Sequence, residues 1–107
     1  MANLLNPPRN LIAIPGDGLV QLQWNEMVDI DYFNIYRNEL IIASTQTNYY
    51  TDLSVTNGTL YEYYVTAVYS DSGEESQPSN KVSVTPVPPI ELPLFIDFEN
   101  GTPYWNL

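Results

Sequence analysis

The chain carries thirteen carboxylates and nine tyrosines, but no histidine, no cysteine and only one lysine, Lys81. Imidazole general bases and thiolate nucleophiles are therefore absent, and the usual nucleophile–base pairs cannot be built. Two carboxylates could in principle share glycosidase work, but they need a deep cleft walled by sugar-binding groups. A chain of 107 residues has little depth to offer, so the sequence reads as non-catalytic and calls for no cofactor. Calcium accepts carboxylate and carbonyl oxygens, and Asp29 with Asp31, and Asp71 with Glu74 and Glu75, form two local acidic groups. Neither has the spacing of a twelve-residue calcium loop; they read as solvated loop charges, and no metal site is expected.

The tyrosines are the remaining candidates. Tyr32, Tyr36 and Tyr64 could stack on sugar rings or anchor a protein partner if they share an open surface. They could equally serve as cross-strand pairs within a sheet. Which role is open to them depends on the elements that carry them.

Those elements are short alternating runs between turn signals, with almost no helical periodicity. Asn10 to Ile14 places Leu11 and Ala13 on one side and stops at Pro15-Gly16-Asp17-Gly18. Leu19 to Asn25 buries Val20, Leu22 and Trp24 against outward Gln21 and Gln23. Tyr32 to Arg37 turns Phe33 and Ile35 inward and Tyr32, Asn34 and Tyr36 outward. After the turn "RNEL" come Ile41 to Ser44 and then Tyr49 to Asp52, with Tyr50 inward. A turn at Asn57-Gly58 leads into the longest run, Leu60 to Tyr69, with Tyr61, Tyr63, Val65 and Ala67 inward and Glu62, Tyr64 and Thr66 outward. A polar loop spans Ser70 to Asn80, and Lys81 to Thr85 closes the set with Val82 and Val84 inward. The expectation is an all-β, seven-stranded antiparallel sandwich, with Tyr32, Tyr36 and Tyr64 projecting from the sheet of the third, sixth and seventh strands.

Composition supports a folded chain and restricts its partners. Hydrophobic residues make up 44% and aromatics 13%, enough for a packed core despite a net charge of -10. Arg9, Arg37 and Lys81 are the only basic residues, so nucleic acid and anionic membrane surfaces would be repelled. No apolar run approaches the roughly 20 residues of a membrane helix, and no secretory signal opens the chain. Without cysteine, disulfides are excluded and redox chemistry says nothing of the compartment. The triplets Asn57-Gly58-Thr59 and Asn100-Gly101-Thr102 match a glycosylation pattern that chance supplies in a chain rich in these residues.

Several stretches together carry a family resemblance: "PRNLIA" from Pro8, Trp24, "FNIYRN" from Phe33, "YTD" from Tyr50, "VTNGTLYEYYVTA" from Val55, and "PSN" from Pro78. Over residues 7 to 86 the sequence resembles a fibronectin type III domain of the kind found in bacterial secreted and surface multidomain proteins. The resemblance implies an immunoglobulin-like sandwich in which Trp24 is the core tryptophan and Tyr61 the corner tyrosine, its hydroxyl bonded to upstream backbone. The turn at Asn57-Gly58 offers carbonyls for that bond. The loop that can carry an Arg-Gly-Asp motif in fibronectin reads "SDSGEESQ" here, so integrin binding is not implied. "LPLFIDFENG" with "PYW", from Leu92 to Trp105, resembles the opening of a cleaved-adhesin-like jelly-roll domain.

The organisation read from the sequence is an N-terminal lead (1–6), a fibronectin type III domain (7–86), a proline-rich linker (87–93) and an incomplete start of a following β domain (94–107). The expected function is a non-catalytic spacer or interaction module of a larger extracellular or cell-surface bacterial hydrolase or adhesin, partnered by neighbouring domains. Recognition of carbohydrate or protein through Tyr32, Tyr36 and Tyr64 is the alternative. In the tail Leu94, Ile96 and Phe98 alternate as an edge strand would. It is expected to pack on a sheet edge, its own or a neighbouring copy's, and to favour dimers.

Overall fold

In the computed structural model, which describes residues 5–88, the alternating runs form seven strands in two antiparallel sheets. The strands are β1 (Ile12–Gly16), β2 (Leu19–Gln23), β3 (Ile30–Arg37), β4 (Leu40–Thr45), β5 (Tyr49–Asp52), β6 (Tyr61–Tyr69) and β7 (Val82–Val84). One sheet has the order β1-β2-β5 and the other β4-β3-β6-β7, so the chain changes sheets between β2 and β3, β4 and β5, and β5 and β6. The linker beyond Pro88 and the tail, with its expected edge-strand packing and dimer contact, lie outside the described residues.

Alternation decides the core. Leu11, Val20, Leu22, Trp24, Phe33, Ile35, Tyr63, Val65, Ala67 and Val84 form one buried cluster between the sheets. Tyr50, Tyr61 and Val82 pack against it half-buried. Trp24 meets Phe33 edge-to-face, with ring centroids 5.3 Å apart and planes at 71°, the geometry that aromatic quadrupoles favour. The Trp24 Nε1 is buried without a hydrogen-bond acceptor among the described residues, so packing holds this side chain.

The first strand lies further along the chain than the Asn10 to Ile14 expectation. Asn10 has φ of 60° and interrupts extended backbone. The strand then continues through Pro15, which sits opposite Val20, to Gly16 opposite Leu19. An edge strand tolerates proline because one side of it needs no ladder donor. Between β3 and β4, Asn38 and Glu39 both have positive φ, 51° and 72°, as a two-residue hairpin turn requires. Asn38 is fastened to β6 by Asn38 N donating to Glu62 O at 2.8 Å and Glu62 N donating to Asn38 Oδ1 at 3.0 Å.

The polar stretch Ser70 to Asn80 is a loop, as expected, and its later part follows the side of β6 that β7 leaves uncovered. The amides of Ser76 and Ser79 donate to Ala67 O and Val65 O at 2.7 and 2.8 Å. In return, Ala67 N and Val65 N donate to Ser76 Oγ and Ser79 Oγ, each at 3.0 Å. Hydroxyls thus stand where a regular partner strand would offer carbonyls, and both serines are buried. Pro78 lies between them and is accommodated because the side chains take over the ladder.

Candidate binding face and the polar clusters around it

Antiparallel register puts directly opposite residues on the same side of a sheet. Tyr36 lies opposite Tyr64, Asn34 opposite Thr66, and Tyr32 opposite Val68. The three candidate tyrosines therefore do share the outer face, and all are half-buried. They do not make one platform. Tyr36 and Tyr64 stack on each other, with centroids 4.6 Å apart and an interplanar angle of 12°. Tyr32 sits four residues earlier on β3, about 13 Å away along the strand, with Asn34 and Thr66 between.

Glu75 fills that interval. Its Oε2 accepts from Tyr36 Oη at 2.6 Å, Thr66 Oγ1 at 2.5 Å and Asn34 Nδ2 at 3.2 Å. Ser44 Oγ extends the chain of bonds by donating to Asn34 Oδ1 at 2.7 Å. Glu75 is an exposed loop charge, as expected, but a partnered one: its backbone bridges Val68 and its carboxylate reaches over the sheet. Burial alone would raise its pKa, but the three donors hold it below the ordinary glutamate value. Burial and the bond to Glu75 push the Tyr36 phenol up to about 12. On the far side Lys81 Nζ lies 5.8 Å from the Tyr64 ring centroid and pairs with Glu39 at 2.5 Å. The stacked pair is thus spanned by a carboxylate on one side and an ammonium on the other.

A second cluster, which the sequence reading missed, joins the two sheets at one end. Asp52 of β5 is 1% exposed. Its Oδ2 accepts from Tyr63 Oη of β6 at 2.7 Å and from Arg37 Nη1 of β3 at 2.8 Å. Its Oδ1 accepts from Ser54 N and Ser54 Oγ at 3.1 and 3.0 Å. Burial penalises the carboxylate, yet these donors more than offset that and lower its pKa. The Tyr63 phenol is pushed far up by burial and by its bond to Asp52. Only the pairing of a buried tyrosine with an aspartate from the other sheet explains the site, and no local spacing in the sequence announces it.

Tyr61, the residue in the corner-tyrosine position, is half-buried, and its hydroxyl accepts from Thr56 N at 2.9 Å. Its partner is upstream backbone, through an amide and not a carbonyl. The nearby carbonyl is used otherwise, since Thr56 O accepts from Thr59 N to close the turn. Arg37 Cζ lies 5.5 Å from the Tyr61 ring centroid.

No family model matches the chain. It is similar to an amylopullulanase of Thermoanaerobacter thermohydrosulfuricus, 41% identical over an alignment 91 residues long that covers 78% of this chain and 6% of that protein. It is also similar to a poly(3-hydroxybutyrate) depolymerase of Ralstonia pickettii, 42% identical over 66 residues, covering 62% of this chain and 13% of that enzyme. The chain thus spans only a small fraction of the length of the curated relatives it matches. Among solved structures, a Fn3-like protein from Clostridium thermocellum superposes with a TM-score of 0.65 at 26% identity, covering 81% of this chain and 96% of that one. The described domain is a fibronectin type III-like sandwich. Its sequence relatives are segments of multidomain bacterial enzymes.

Proposed function

We propose that this domain, residues 7–86, is a non-catalytic spacer and interaction module of a larger extracellular or cell-surface bacterial hydrolase or adhesin. The observation that carries the reading is where the chain enters and leaves. Asn6 O accepts from Tyr69 Oη at 2.9 Å, at the end of the sandwich where β6 finishes and β3 begins. Val87 N donates to Gly16 O at 3.2 Å, at the other end of β1, beside the turn into β2. Entry and exit at opposite ends let one rigid domain set the distance between its neighbours.

The exit end is laced accordingly. Gly58 N donates to Pro86 O at 2.9 Å. Asn57 bridges two turns, accepting from Gly18 N at 2.8 Å and donating to Asp17 Oδ1 at 2.8 Å. Recognition through Tyr32, Tyr36 and Tyr64 has less support, because Tyr36 and Tyr64 face each other under Glu75 and Lys81 and Tyr32 stands apart.

Incubating the chain with pullulan and with poly(3-hydroxybutyrate) tests the non-catalytic part. No reducing sugar and no hydroxyacid should be released. Turnover that scales with protein concentration and survives repurification would contradict the reading.

A further inference from the structure

The outer face of the three-stranded sheet contrasts with the tyrosine face. Ile12, Gln23 and Tyr49 form one row across β1, β2 and β5, and Ile14, Gln21 and Thr51 form the next. None of these side chains is charged, in a chain of net charge -10. Tyr49 is 59% exposed, Ile12 50% and Ile14 47%. A shallow depression of about 220 Å³ lies on this face, lined by Ile14, Gln21, Gln23, Tyr49 and Thr51 with Leu22 beneath.

Tyr49 also borders a larger concavity, of about 840 Å³, at the end of the sandwich where the chain enters. Asn6, Gln46, Thr47 and Asn48 line it, with Glu26 and Asp29 supplying carboxylates and Tyr69 a second ring; Gln46 Nε2, Thr47 Oγ1 and Asn48 Nδ2 donate to Asp31 O, Tyr49 O and Trp24 O, which fixes these side chains in place. Its volume falls in the range of small-molecule sites, roughly 300–1,000 Å³. The loop that forms one wall is held in place. Asp29, at φ of 62°, has its carbonyl gripped by both Ser70 N and Ser70 Oγ at 3.0 Å.

We propose that these two depressions form one groove for a strand of neutral polysaccharide, with the Tyr49 ring as the stacking platform where they meet. An exposed ring offers its face to the C–H side of a pyranose, while the carboxylates and amide oxygens flanking it offer acceptors to sugar hydroxyls. The charge pattern selects among polymers. The groove holds carboxylates and no basic residue, so an anionic polymer gains nothing and is repelled by the net charge, whereas a neutral one meets no penalty. The inference rests on the reading of the domain as an interaction module of a larger hydrolase. It adds a contact on the polymer itself, on the face opposite the one singled out from the sequence.

The test is native affinity electrophoresis of the full chain in gels containing pullulan, amylopectin or polygalacturonate. Pullulan or amylopectin should retard the protein and polygalacturonate should not. Tyr49→Ala should lose most of the retardation, Gln46→Ala and Gln23→Ala should each weaken it several-fold, and Tyr64→Ala on the opposite face should leave it unchanged. Tyr49 is exposed, and an unaltered melting curve will show that the variant remains folded. No retardation by either neutral glucan overturns the proposal, as does retardation that survives Tyr49→Ala. Loss in Tyr64→Ala alone would move binding to the tyrosine face and overturn the proposal. The spacer reading stands or falls separately, on the separation of the chain ends.

Discussion

Asp52 shows why two tyrosines two residues apart play different parts. Tyr63 gives its proton to a carboxylate that is out of water, so Tyr63→Phe leaves a buried charge short of a donor and should cost about 1–3 kcal/mol. Tyr61 accepts from an exposed amide that water can also serve, so Tyr61→Phe should cost about 1 kcal/mol or less. Urea unfolding of both variants checks the order; a larger loss in Tyr61→Phe would contradict it. The pH dependence follows from the same groups. Asp52 and Glu75 both have folded pKa values below their ordinary ones. Their contribution is complete above the unfolded values of about 4 and is lost as pH falls through the lower folded values. The urea midpoint should hold from pH 7 to about 5 and drop below about 4, and Asp52→Asn should flatten that drop. A midpoint independent of pH down to 2 would show that neither carboxylate is bound as described.

At the scale of elements, alternation made the strands and their inward residues legible. Val20, Leu22 and Trp24, and Tyr63, Val65 and Ala67, are buried where a period of two places them. The same period put Tyr32, Tyr36 and Tyr64 on one outer face, but it carries no information on what a neighbouring loop does. The segment before β7 was illegible because its pairing uses seryl hydroxyls at Ser76 and Ser79, a spacing of three with a proline between, which resembles no strand pattern. Glu75 and Asp52 were illegible for a related reason: their partners are distant in sequence and depend on register. Ser79→Ala removes the acceptor for Val65 N in a buried ladder and should cost about 1–3 kcal/mol. Hydrogen exchange at the Val65 amide should accelerate more than at distant core amides. Uniform acceleration across β6 would mean that the serine acts on global stability alone.

For the whole molecule, the spacer account requires that the domain hold its two ends apart as a rigid body. β6, the longest strand, has nine residues, so the sandwich is about 30 Å from end to end at roughly 3.3 Å per residue. The cysteine-free chain allows a pair of labels without background. The direct measurement is the distance distribution between spin labels on Asn6→Cys and Val87→Cys, both exposed positions. The account predicts a single narrow distribution centred near 30 Å, allowing for label length. A distribution that is broad, or centred at less than about half that value, would contradict it.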